Sequence, residues 1–173
     1  AIVLAGHGIR LLAADRVLFD VRRHLGAGEL EEGIRAYDRR AGWSRASDLW
    51  FSRRLAEAAR TSGDALAGAQ AFERAFQAAR RATESAEDRH NAWYNLATFC
   101  ASRNDAVCVE QSLRETIAWA PNWFKPHWTL AQVLLLSGRT QEAEREAALA
   151  VELNNAKNRE VSETLEMIRR KEK

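Results

Sequence analysis

Apolar and small residues recur along this chain in blocks that superimpose at a shift of 34 residues. The block Trp93-Tyr94-Asn95-Leu96-Ala97 sits in a helical segment that ends near Asn104, and a second segment follows to Pro121. The block His127-Trp128-Thr129-Leu130-Ala131 ends near Gly138, and its second segment runs to Asn154. Leu96 maps to Leu130, Ala97 to Ala131, Asn104 to Gly138 and Val109 to Ala143. A unit of this length that reads helix, turn, helix cannot bury its apolar face alone, so the pattern predicts a stack of such units.

The turns between paired helices fall at Gly28, Gly63, Asn104 and Gly138, with spacings of 35, 41 and 34. The units then begin near Asp15, Leu49, His90 and Phe124, and the long interval comes from an extended second helix, Asp64 to about Glu84. Glycine or asparagine is expected at these turns because the first helix ends in a left-handed residue. Of the residues that follow, Glu29 caps the second helix poorly, whereas Asp64, Asp105 and Thr140 are good caps. Small residues recur where paired helices cross: Val21, Ala56, Ala97 and Ala131 in the first helices, and Gly33, Gly68, Val109 and Ala143 in the second. A larger side chain at either place would force the axes apart. Tyr37, Phe72 and Leu113 are expected to fill the space between units. Pro121 lies between units, Asn122 is placed to cap the next helix, and Pro126 falls in that helix's first turn, where its missing N–H costs little. The predicted helices cover 12–26, 29–41, 46–61, 64–84, 89–103, 105–119, 122–137, 140–154 and 157–171.

This pattern resembles the tetratricopeptide repeat. The resemblance implies an all-α, right-handed α-α superhelix, a solenoid of about four helix-turn-helix repeats over residues 14–157. An N-terminal apolar stub covers 1–13 and a C-terminal capping helix 158–173. In that last helix Val161, Leu165 and Ile168 share one face, at i, i+4 and i+7, while Arg159, Glu160, Glu163, Glu166 and Arg169 lie elsewhere. A polar outer face is what a terminal cap needs.

Composition agrees with helices: alanine, leucine, glutamate and arginine dominate and there are two prolines. The net charge of +2, with signs mixed along the helices, gives no basis for a nucleic-acid partner. Cys100 and Cys108 do not have the spacing of a redox or zinc motif. They are expected either as two buried thiols or as a disulfide across the turn, and a disulfide would imply an oxidising compartment. Ala1 to Gly6 is apolar but too short to span a bilayer. It reads either as a packed N-terminal helix or as the end of a membrane helix, a tether lying upstream of residue 1.

No catalytic, cofactor-binding or metal motif is present. Gly6-His7-Gly8 and Gly26-Ala27-Gly28 follow no strand, and His7, His24, His90 and His127 form no i,i+4 pair. In a tetratricopeptide stack the first helices line a concave groove. Its wall here would include Leu18, Arg22, Trp50, Arg53 and Glu57, then Asn91, Tyr94, Thr98 and Ser102, then Lys125, Trp128 and Gln132. Trp50, Tyr94 and Trp128 interleaved with Arg53 and Lys125 suit an extended protein or peptide segment, or a glycan, through stacking and cation–π contacts. The alternative for Trp50 and Trp128 is packing between units. The carboxylate clamp of one subfamily is set aside. At its positions stand Arg53, Glu57, Asn95, Lys125 and Thr129, of which Glu57 repels a carboxylate and Thr129 lacks charge. That removes the basis for a heat-shock chaperone partner.

The run Ala120-Pro121-Asn122-Trp123-Phe124-Lys125-Pro126-His127-Trp128, with Leu130-Ala131 and Gly138-Arg139, resembles the C-terminal repeat region of bacterial O-antigen ligase or polymerase-like membrane proteins. That resemblance implies an extracytoplasmic accessory domain on the periplasmic face of the inner membrane. It would assist glycan transfer or complex assembly, with the enzyme's catalytic residues elsewhere. Two expectations result: a non-catalytic scaffold for protein interaction, at either face of the inner membrane, or such an accessory domain.

Overall fold

The structure, a computed structural model, describes residues 16–39 and 47–171. Expectations for the apolar stub, for His7 and for the first turn of the first helix lie outside the described residues. The described residues contain no strand, and nearly all their regular structure is α-helical. The helices are α1 (16–26), α2 (Leu30–Asp38), α3 (Asp48–Arg60), α4 (Ala65–Ser85), α5 (Arg89–Ser102), α6 (Ala106–Trp119), α7 (Phe124–Leu136), α8 (Thr140–Leu153) and α9 (Arg159–Lys171). The chain divides between Glu87 and Asp88 into two compact units, α1–α4 and α5–α9.

In the first unit α3 and α4 form the main hairpin, with α2 packed on both. Phe51 and Leu55 of α3 are fully buried, and α4 presents Ala71, Ala75, Ala78, Ala79 and Ala82. A row of methyl groups lets the axes approach closely, and the two crossing glycines show why. A Cβ at Gly68 would stand 2.8 Å from the Ala59 carbonyl oxygen, and one at Gly33 would stand 2.5 Å from Leu25 Cδ2. The start of α3 also carries a buried polar knot. Asp48 is 3% exposed and accepts from Tyr37 Oη at 2.8 Å and from Arg81 Nη2 at 3.0 Å, joining α2, α3 and α4. A buried carboxylate with neither partner would be costly. Tyr37 meanwhile stacks on Phe51 with centroids 3.7 Å apart.

In the second unit α5–α6 and α7–α8 are the hairpins, α6 meets α7, and α9 lies on α8 and α7. Leu113, Leu130, Leu134, Ala131 and Ala143 are fully buried. The apolar face of α9 buries Val161, Leu165 and Ile168, and Arg169 Nε donates to Glu144 on α8 at 2.7 Å. Asn104 takes a left-handed φ of 56° and Gly138 one of 75°, as their turns demand.

Four local expectations need correction. Gly63 is not left-handed. That turn is instead built by Ser62, whose hydroxyl donates to the Asp64 carbonyl at 3.0 Å and accepts the Asp64 N–H at 3.2 Å. Asp64 and Asp105 do cap α4 and α6, but Thr140 is already the first residue of α8, whose N-cap Arg139 has no side-chain bond to the backbone. Asn122 caps nothing, because the turn runs one residue further and places Trp123 at the N-cap of α7. Of the two cysteine readings, the buried thiols give way to the disulfide. Cys100 at the end of α5 and Cys108 in the first turn of α6 have Cα atoms 5.7 Å apart and are bridged.

Candidate functional site

The expected wall residues fall in both units. Leu18, Arg22, Trp50, Arg53 and Glu57 belong to the first, and Asn91, Tyr94, Thr98, Ser102, Lys125, Trp128 and Gln132 to the second.

In the first unit, α1 and α3 lie side by side as first helices of successive pairs and enclose a cleft of about 430 Å³. Leu25 and Ala58 form its apolar floor; Arg22, Arg54, Glu57 and Thr61 form its rim. The Arg22 guanidinium carbon stands 5.9 Å from the centre of the Trp50 ring, within cation–π range. Glu57 accepts from Arg54 at 3.0 Å, so part of the positive charge is already neutralised. Arg53 is exposed. Sequence reasoning missed Arg54, one residue removed from the register used for the wall, and Thr61, which occupies the register position of Ser102 but was not named.

In the second unit α5 and α7 are the corresponding helices. Tyr94 Oη meets Thr129 Oγ1 at 3.5 Å, which brings the two helix faces together. The centre of this wall is Trp123, a residue of the α6–α7 turn. Its ring centroid lies 4.7 Å from that of Tyr94 with the planes at 50°, and 5.9 Å from that of His90, edge-on. Asn91 donates its amide N–H to His90 Nε2 at 3.2 Å. Around this cluster Lys125 is exposed and Gln132 half-buried, while the Thr98 and Ser102 hydroxyls donate to carbonyls of their own helix. Trp128 differs from the others: its indole N–H donates to Thr164 Oγ1 on α9 at 2.9 Å. Its polar end is thus used inside the unit. Trp123 and His90 were absent from the expected wall because one stands in a turn and the other at the first position of its repeat.

The opposite helices, α6 and α8, carry a charge network. Arg139 pairs with Glu110 at 2.7 Å and with Glu142 at 2.6 Å, and Arg114 pairs with Glu110 at 2.8 Å. Hydrogen bonds from Arg139 and then Arg114 hold the Glu110 carboxyl below its ordinary value. A cleft of about 520 Å³ opens beside this network, lined by residues from Gly138 to Arg145, but its central cation, Arg139, is already paired.

No family model matches the chain, and no curated protein is similar to it. Solved structures do share its fold. The fold is tetratricopeptide-like. A MamA structure of AMB-1 superimposes with a TM-score of 0.62 at 17% identity, covering 91% of this chain and 83% of its own. A tetratricopeptide protein of Thermus thermophilus gives 0.59 at 18% identity, with 86% and 77% covered. The Thermobaculum terrenum O-GlcNAc transferase gives 0.53 at 22% identity over 72% of this chain, which spans only 22% of that enzyme. At these identities the likeness carries the fold and no activity.

Proposed function

We propose that this chain is a non-catalytic scaffold that binds an extended protein or peptide segment on the faces of its first helices. The observation that carries the reading is the pair of half-exposed aromatic–cation sites on those faces. One is Trp50 under Arg22 in the first unit; the other is Tyr94 and Trp123 in the second, with the exposed Lys125 two residues after Trp123 along the chain. Half-buried aromatic rings with cations and amides on the same helices suit a segment whose backbone and side chains both need partners.

A peptide library selected on the folded chain tests this. Trp50→Ala is expected to weaken an acidic peptide bound on the first unit, and Tyr94→Ala one bound on the second, roughly tenfold or more each, as anchors do. Lys125→Ala and Arg53→Ala should weaken it chiefly at low salt. Loss with the aromatics alone, insensitive to salt, would point to an uncharged ligand such as a glycan. Unchanged binding in all four variants would overturn the assignment of these faces. Trp128→Ala is a poorer probe than the sequence suggested, because it also removes a contact to α9.

One observation favours the second reading. The Cys100–Cys108 bridge persists in an oxidising compartment, where an extracytoplasmic domain of an O-antigen ligase-like membrane protein would sit. The compared structures lend that resemblance no support, so it rests on the Ala120–Trp128 run with Leu130-Ala131 and Gly138-Arg139, and on the bridge. Labelling of the cysteines in intact cells by a membrane-impermeant reagent, with and without reductant, tests the compartment. Free thiols labelled only after lysis would contradict it.

A further inference from the structure

His127 is 3% exposed, at the start of α7, and both its ring nitrogens face acceptors. Nδ1 lies 2.7 Å from Glu146 Oε2 and Nε2 lies 3.0 Å from the Pro121 carbonyl oxygen. An ionised carboxylate and a carbonyl can only accept. A neutral imidazole has a single N–H and satisfies one of them, whereas the imidazolium satisfies both. The charge that acts on the ring is that of Glu146 on α8, the helix paired with α7. Burial pushes the ring's pKa down, but the hydrogen bonds to Glu146 and Pro121 and the Glu146 charge outweigh it. The net shift is upward from the ordinary 6.5.

The Pro121 carbonyl belongs to the α6–α7 turn, which is closed by the Trp123 N–H donating to the Ala120 carbonyl at 3.1 Å. No side chain caps α7 at Trp123. The indole of Trp123 therefore owes its place against Tyr94 and His90 to the turn, and the turn is tied to the helix pair through His127.

We propose that protonated His127 is a positioning residue for the second unit's binding wall. It holds the α6–α7 turn by the Pro121 carbonyl and thereby sets Trp123 against Tyr94, and the wall loosens when the ring gives up its Nε2 proton and keeps the Nδ1–H on the Glu146 carboxylate. The consequence for binding rests on the proposed function above. The geometry does not, and it is read without any ligand, so the two can fail separately.

Nuclear magnetic resonance of the full chain, following the His127 ring nitrogens and the Trp123 indole N–H between pH 5.5 and 8.5, decides the matter. His90 also faces Trp123, so the titration is run in a His90→Gln background as well. Both His127 nitrogens should carry protons at pH 6, and the Trp123 resonance should move with the midpoint of His127 in both backgrounds. Glu146→Gln removes the counter-charge and should lower the two midpoints together, by about one pH unit. His127→Gln keeps a donor for the Pro121 carbonyl and should abolish the Trp123 transition. A neutral His127 at pH 6 would overturn the proposal. So would a Trp123 resonance that stays still while His127 titrates, one that stops moving in His90→Gln, or one that still titrates in His127→Gln.

Discussion

Gly68 and Gly33 occupy equivalent crossings, but different atoms stand in the way of a methyl group. At Gly68 the obstacle is the Ala59 backbone carbonyl; at Gly33 it is the tip of Leu25. Alanine would add about 1 kcal/mol of helix propensity at either site. A backbone carbonyl yields only if α3 and α4 separate, whereas a leucine can change rotamer. Gly68→Ala is therefore expected to destabilise by about 1–2 kcal/mol net, and more than Gly33→Ala, in denaturant melts. The reverse order would contradict the packing described. Crossings of this kind were legible in the sequence because close approach tolerates few residue types. The caps were less so. Asn122 and Thr140 have suitable side chains, but whether such a residue caps depends on the length of the preceding turn: one residue more leaves Asn122 before the N-cap, and one fewer puts Thr140 after it.

Among the elements, the α5–α6 hairpin and α9 make the clearest demands. The Cys100–Cys108 bridge closes a short loop, the linked positions standing eight apart along the chain. Loop entropy of that size corresponds to about 2–3 kcal/mol. The Cys100→Ala/Cys108→Ala double variant should melt correspondingly lower, and reductant should lower the parent but not the variant. A parent indifferent to reductant would mean that the bridge does not form in solution. Spacing alone could not choose between thiols and bridge, since that choice needs the angle at which α5 hands over to α6. Helix α9 was readable from its apolar stripe, and its loss should be felt beyond itself. Removing 156–173 uncovers α8, leaves the Trp128 N–H without Thr164 and frees Glu144 from Arg169. Self-association by light scattering is the expected result. A monodisperse truncated chain with the parent's melting point would show that α9 covers nothing of consequence.

For the molecule as a whole, the repeat architecture was visible in the 34-residue period, while the centre of the second unit's wall was not. Trp123 was read as part of a motif and not as a wall residue, because a turn residue has no place in a helical register. The same unit sets a pH window on stability. Glu110 has a folded value below its ordinary 4.5, so its contribution is present above that value and is lost as pH falls through the folded one. His127 has a raised folded value, so its contribution is full below 6.5 and is lost as pH rises through the folded one. Melting temperature should therefore peak between about pH 5 and 6.5 and fall on both sides. Glu146→Gln should flatten the alkaline limb. The central claim, that the first-helix faces are the binding surface, is tested most directly by mapping a library-selected peptide onto the isotope-labelled chain. Asn91, Tyr94, Trp123, Lys125 and Gln132 are predicted to shift together on titration in the second unit, and Arg22, Trp50 and Arg53 in the first, while Arg114, Glu142 and Arg145 stay still. Shifts concentrated on that α6–α8 charge network, with the aromatics unmoved, would contradict the account.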